Sequence, residues 1–142
     1  MSDNEIEKLD EDLIRGRIYS IRGFQVMLDR DLAELYGVEV RYLNRAVKRN
    51  IERFPQDFCF LLNNQEMSNL KFHFGTSSWG GKRKNSQVFT EQGVAMLSAV
   101  LKSETAVKMS IKIMKAFIEM RKFIQSNAQL FSRIDILVRP AG

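Results

Sequence analysis

The stretch from Asp31 to Lys48, DLAELYGVEVRYLNRAVK, constrains the fold more than any other part of the chain. It reads as two short amphipathic helices joined at a corner. Leu32, Ala33 and Tyr36 recur at helical spacing, and the small Ala33 suits a close helix crossing. Gly37 falls where the first helix must stop, in a turn that requires φ > 0. Leu43, Ala46 and Val47 then face Leu32, Tyr36 and Val38 across the bend. The residues left outward on the second helix are Arg41, Asn44, Arg45 and Lys48, and their offsets of three, four and seven place them on one face. Nothing acidic occurs from Val40 to Ile51. A basic face carrying an Asn suits a DNA major groove, where Arg pairs with guanine, Asn with adenine and Lys with phosphate. A merely solvated basic face is the bland alternative, and the corner pattern alone does not separate the two.

Charge distribution favours the first reading. The net charge is +5, but the first 13 residues hold six acids (Asp3, Glu5, Glu7, Asp10, Glu11, Asp12) and one Lys. They carry −5, which leaves +10 on the rest. A basic body favours polyanionic partners. The acidic tip reads as a frayed, solubilising terminus, with an arm that competes with DNA as the alternative. The 142 residues suit one domain, and 44% apolar content is enough for a core. A single Cys, Cys59 in the apolar run FCFLL, excludes an internal disulfide, and one Cys with one His builds no zinc finger. No cofactor or metal is expected. No run reaches the ~18 apolar residues of a membrane span, and the acidic start is no secretory signal. The expected location is cytoplasmic, at the nucleoid.

Along the chain, alternation over 14–27 around Arg22-Gly23 predicts a β-hairpin. Asp29 is placed to cap the first helix of the corner. The second should run from Val40 to Arg53 and stop before Pro55. Phe58 to Leu62 reads as a short strand. Asn63 or Asn64 caps a third helix to about Lys71, with Glu66 completing a capping box. From Phe72 to Gln87 the pattern dissolves into a loop rich in Gly, Ser and basic residues. Thr90 caps a further helix. Ser103 starts the last and longest one, to about Asn127, whose apolar residues predict packing on two sides, against the core and against a partner.

The loop is the second basic feature. No acid lies between Glu66 and Glu91, whereas Lys71, Lys82, Arg83 and Lys84 do, with His73 nearby and Trp79 beside Gly80-Gly81. A wing that touches phosphates or the minor groove is the functional reading; a Trp packed back on the domain is the alternative. Enzyme chemistry has little support, since a Ser-His-Asp reading rests on His73 alone and GGKRK lacks the glycine spacing of a Walker loop. Catalysis is not expected.

The segment IYSIRGFQVMLDRDLAELYGVEVRYLNRAVKRNIERFPQDFCFLL, followed by TSSWGGKRK and FTEQGVAML, resembles the phage-type KilA-N superfamily in its open-reading-frame-six N-terminal branch. The similarity spans about Ile18 to Ile124, and the motifs DLAxLYGV, RFPxDFxF, TSSWGG and FTEQGVAML are specific as an ordered set. The resemblance implies a phage or prophage DNA-binding domain of α+β class, with a hairpin and helices framing the helix-turn-helix. It also implies that Lys82 and Arg83 form a second DNA contact. Phe89 to Leu97 reads as structural. The chain ends at SRIDILVRPAG, where related chains continue into a helical extension, so a truncated extension is expected.

These readings combine into one expectation. Residues 1–13 form a flexible acidic terminus, 14–126 a DNA-binding domain and 127–142 a partial extension. The fold is helix-rich α+β with an N-terminal hairpin, a helix-turn-helix, a short strand, a basic wing-like loop and a long C-terminal helix. The function is double-stranded DNA binding in transcription regulation; an antirepressor acting on a repressor or host protein is the rival. Arg41, Asn44 and Arg45 read bases, while Lys48, Arg49, Arg53, Lys71, Lys82, Arg83 and Lys84 hold phosphates. A homodimer through the last helix completes the expected partners.

Overall fold

The computed structural model describes residues 10–74 and 84–128, with backbone alone for 71–74. A helical segment, α1, covers residues 10–15. Strands β1 (Tyr19–Ile21) and β2 (Phe24–Leu28) follow, then helices α2 (Asp29–Tyr36) and α3 (Val40–Arg49) and a 3-10 turn at Ile51–Arg53. Strand β3 (Cys59–Leu61), helix α4 (Asn64–Phe74), strand β4 (Gln87–Phe89), helix α5 (Glu91–Leu101) and helix α6 (Glu104–Ser126) complete the order. This is the α+β architecture expected.

The hairpin forms at the expected turn but starts later than the alternation over 14–27 suggests, since residues 14 and 15 belong to α1. Arg22 and Gly23 both have positive φ, 55° and 78°, as a two-residue turn matched to strand twist requires. The Arg22 side chain then locks the turn to the far side of the sheet. Its guanidinium donates to both carboxylate oxygens of Glu66, at 2.9 and 2.8 Å, and to the Leu61 carbonyl at 3.1 Å. It also lies 4.4 Å from the centroid of the Phe60 ring. The hydrogen bond from Arg22 holds the Glu66 carboxyl below the usual carboxylate range. Glu66 at the same time accepts the Asn63 N–H, while Asn63 Oδ1 accepts the Glu66 N–H, closing the capping box.

The sheet is antiparallel throughout, in the order β1-β2-β4-β3. Its central pair therefore joins β2 to β4, far apart in sequence. Side chains alternate between its faces. Met27, Cys59 and Phe89 enter a core shared with α2, α3, α5 and α6, in which Leu32, Leu43, Val47, Leu97, Ile113 and Phe117 are buried. Val26, Leu28, Phe60, Leu62 and Val88 face the other way, onto Met67 and Leu70 of α4. The sheet is thus covered on both sides.

Several boundaries differ from the sequence reading. Strand β4 was not expected, because Gln87–Phe89 is too short to show alternation and sits beside a Gly/Ser-rich stretch. Helix α3 ends at Arg49 rather than Arg53. Asn50 donates its side-chain amide to the Ala46 carbonyl, 2.8 Å away, and the chain tightens into the 3-10 turn. Helix α4 runs to Phe74, past Lys71. Residues 10–13, expected in a flexible terminus, belong to α1, which is anchored by Ile14 at 1% exposure. Asp29 begins α2 but does not cap it; its carboxylate is used elsewhere. Thr90 and Ser103 cap α5 and α6 as expected, accepting from the N–H groups of Gly93 and Ala106.

Candidate nucleic-acid interface

Gly37 ends α2 in the left-handed region, at φ 72° and ψ 32°. Its N–H and that of Val38 bond back to the carbonyls of Glu34 and Ala33. The chain then turns directly into α3. Leu32, Ala33, Tyr36, Leu43 and Val47 are buried in the cluster beneath the corner, with Val38 and Ala46 packed against it. The Tyr36 hydroxyl shares a hydrogen bond of 2.7 Å with Ser110 Oγ, tying α2 to α6. Burial pushes that hydroxyl up to about 12, so it stays protonated.

Among the side chains of α3, only Leu43 and Val47 are fully buried. Arg41, Arg45, Lys48 and Arg49 all stand exposed, and Arg53 is exposed on the following turn. At 100° per residue, Arg41, Arg45 and Lys48 fall within about 60° of arc, with Arg49 beside them. Arg41 donates through Nε to Glu39 at 2.7 Å, in a pair whose side chains are 76% and 70% exposed. Such a solvated pair contributes little and yields to a phosphate or a base at low cost. Tyr42 adds an aromatic ring, 51% exposed, beside Arg45 and Arg49. Sequence reasoning passed over Tyr42, since a tyrosine in an amphipathic helix is ordinarily read as core.

Asn44 does not share this face. It is half-buried, and its Nδ2 donates to Asp29 Oδ2 at 2.8 Å. Its Oδ1 is buried without a hydrogen-bond partner. The amide expected to read a base is engaged by Asp29 and does not stand free on the exposed face. The partner, Asp29, is 5% exposed and bonds three elements. Its Oδ1 accepts the Arg30 N–H at 2.7 Å, and Oδ2 accepts both Asn44 of α3 and the Gln87 N–H of β4, at 3.2 Å. A buried carboxylate at the start of a helix, met by three N–H donors, is well compensated. It fixes the rotation of α3 relative to the sheet. The sequence signal for this hub was an Asp directly after a buried strand, where a cap is the ordinary reading.

Of the second basic feature, Lys84 is exposed. Lys82 and Arg83, with Trp79 and the two glycines, lie outside the described residues, as do the side chains of Lys71 and His73. Two charged contacts brace the opposite side of the corner. Arg17 pairs with Glu34 at 3.3 Å and with Asp31 at 3.9 Å. Burial raises the Asp31 carboxyl, with the Arg17 charge opposing that rise.

Cys59 sits beneath this region. Its thiol donates to Gln87 Oε1 at 2.9 Å, and burial, helped by the charge of Asp29, pushes it up to about 12 from 9.0. Thiolate is the reactive species. A three-unit rise lowers the thiolate fraction near pH 8 about 1,000-fold, an effect partly offset by the greater nucleophilicity of a more basic thiolate. Alkylation of the folded chain by iodoacetamide is expected to be slower than that of a denatured control by at least about tenfold; comparable rates in the two would show that the site is open.

Among the described residues, no helix is long and apolar enough to cross a membrane. No curated protein and no solved structure matches the chain. The profile of the ORF6N domain matches residues 16–100, from just before the hairpin to the end of α5, and so takes in the whole helix-turn-helix corner. Because that match covers more than half of its length, the chain belongs to the ORF6N domain family.

Proposed function

We propose that this protein binds double-stranded DNA by laying α3 in the major groove, as a phage- or prophage-derived transcription regulator of KilA-N type. One observation carries the reading: α3 spends two side chains on the core and presents four cations, with no acid along its length. Arg41 and Arg45 are the base readers, with Tyr42 available for apolar contact with sugar or a thymine methyl. Lys48, Arg49, Arg53 and Lys84 serve phosphates, joined by Lys71, Lys82 and Arg83. Asn44 and Asp29 hold the helix at its working rotation. The rival reading, an antirepressor, finds support only in the exposed apolar residues of α6, Val107, Ile111 and Ile118.

The test is selection from a random duplex pool at two salt concentrations. Wild-type protein is expected to enrich a motif, and with about six phosphates neutralised, log affinity should fall with log salt at a slope near −5. Arg45→Ala should cost ~1–3 kcal/mol on the selected site and blur one base position. Lys48→Ala should weaken all sequences alike. Equal losses from both changes on every sequence would remove the base-reading role. No binding at low salt would favour the antirepressor.

A further inference from the structure

Helix α6 is two-faced. Ala106, Ser110, Ile113, Ala116 and Phe117 are buried against the domain. A second stripe, Val107, Ile111, Met114 and Ile118, runs along a line about 100° away around the helix. Val107, Ile111 and Ile118 on it are 46%, 52% and 37% exposed, and Met114 is half-buried. The spacing of four, three and four is that of a coiled-coil seam. Like any stripe with that alternation, it maps onto itself when reversed, so it can pair with an antiparallel copy in register.

We propose that α6 pairs antiparallel with α6 of a second copy, about a two-fold axis midway between Ile111 and Met114. That axis sets Ile111 opposite the partner's Met114, and Val107 opposite the partner's Ile118. The same axis carries one step further at each end. Glu104 then faces the partner's Arg121, closing the apolar seam with an ion pair at both ends. Glu104 and Arg121 are both exposed. Arg121 already donates to Glu91 through Nη1 at 2.7 Å, which leaves the rest of its guanidinium fork for a second carboxylate. Met114 also packs against the core cluster, so the stripe is seated on the domain at its middle and exposed on either side. An isologous interface needs one surface complementary to itself, and Glu104 against Arg121 supplies that complementarity at both ends of the stripe.

One feature opposes pairing. Lys108, Lys115 and Lys122 flank the stripe on one side, and the two-fold brings Lys108 near the partner's Lys115. Salt screens that repulsion. Each copy also carries a net charge of +5, so screening of repulsion outweighs screening of the two end ion pairs and the dimer tightens as salt rises, while DNA binding by α3 weakens, and the failure of one reading is distinguishable from failure of the other. The seam is about 26 Å long on a single helix, which puts the interface at the small end and the dissociation constant on the order of micromolar.

Sedimentation equilibrium of the full chain, from about 1 µM to about 1 mM, tests this. A monomer–dimer equilibrium that tightens with salt is expected. Ile111→Glu should weaken it at least 100-fold without lowering the Tm measured at concentrations where the wild type is monomeric, since the side chain is exposed in the monomer. Glu104→Arg should weaken it about tenfold, and adding Arg121→Glu should restore it. Under oxidation, a mixture of Val107→Cys and Ile118→Cys should cross-link, and Val107→Cys alone should not. A monomer at every concentration, a dimer indifferent to Ile111→Glu, or self-cross-linking by Val107→Cys would each overturn the proposal. A monomer whose Tm falls on Ile111→Glu would mean that the stripe is covered within its own chain.

Discussion

Gly93→Ala is expected to destabilise the protein by at least ~3 kcal/mol, although alanine is the better helix former by about 1 kcal/mol. Gly93 lies in the first turn of α5, where that helix presses on the chain entering β3. A Cβ there would overlap the Phe58 carbonyl oxygen, stand 3.0 Å from the carbonyl carbon and touch Phe89 Cβ at 3.3 Å. Backbone cannot rotate aside as a side chain can. The Phe58 carbonyl is moreover held by the Thr90 N–H at 3.0 Å, and the Thr90 hydroxyl donates to the Asp57 carbonyl at 2.8 Å. The contact sits where strand, helix cap and core meet, so relief requires α5 to lift off β3. For a chain of this length, a fall in Tm of about 10 °C or more follows. Thermal unfolding by circular dichroism reads this, and a change below 2 °C would show that α5 shifts freely.

Asp29→Ala is the second large effect, and it reaches from stability into function. Removing the carboxylate, itself 5% exposed, strips acceptors from the part-buried Arg30 and Gln87 N–H groups and from the Asn44 amide. Hydrogen bonds to a charged acceptor contribute ~1.5–3 kcal/mol, and abandoned buried donors add their own cost. A loss of ~2–4 kcal/mol is expected. Asp29→Asn should be milder in shape but still destabilising, because its NH2 meets a donor on one side. Neither variant touches the exposed cations of α3. If α3 reads DNA at a rotation set by the Asp29–Asn44 bond, both should blur the selected motif under conditions where the protein remains folded. Urea unfolding and pool selection on the same samples separate the two effects. An unchanged motif in a destabilised but folded Asp29→Ala would confine Asp29 to a structural role.

The corner from Leu32 to Val47 was legible because its signals are local: a glycine at a required positive φ, and apolar residues at helical offsets. The Arg22-Gly23 turn, the Asn63–Glu66 box and the caps at Thr90 and Ser103 were legible for the same reason. What escaped depends on partners distant in sequence. Strand β4 exists because β2 and β3 leave a gap that Gln87–Phe89 fills, and three residues carry no period of their own. The contact made by Asn44 was not legible because helical spacing places it near the basic face, whereas its partner is Asp29, fifteen positions away. Tyr42 was passed over because type and spacing suggest core, and only the packing shows it outside. The breadth of the apolar surface on α6 was foreseen, but which of its residues stay outside emerged only once the buried side was known.

The sheet order has a consequence for the newborn chain. The segment bearing α2 and α3 leaves the ribosome before the strand and helix that hold it in place. Until Phe89 emerges, β2 lacks its central neighbour and Asp29 lacks the Gln87 N–H; until Leu101 emerges, α3 lacks the support of α5. At ordinary synthesis rates that interval is about 3–10 s. During it the cationic helix is attached to an unfinished scaffold and is not yet set at a defined rotation. If α3 reads DNA as proposed, a nascent chain stalled before Phe89 should hold nucleic acid through charge alone, and discrimination between sequences should appear only when the last two helices are out.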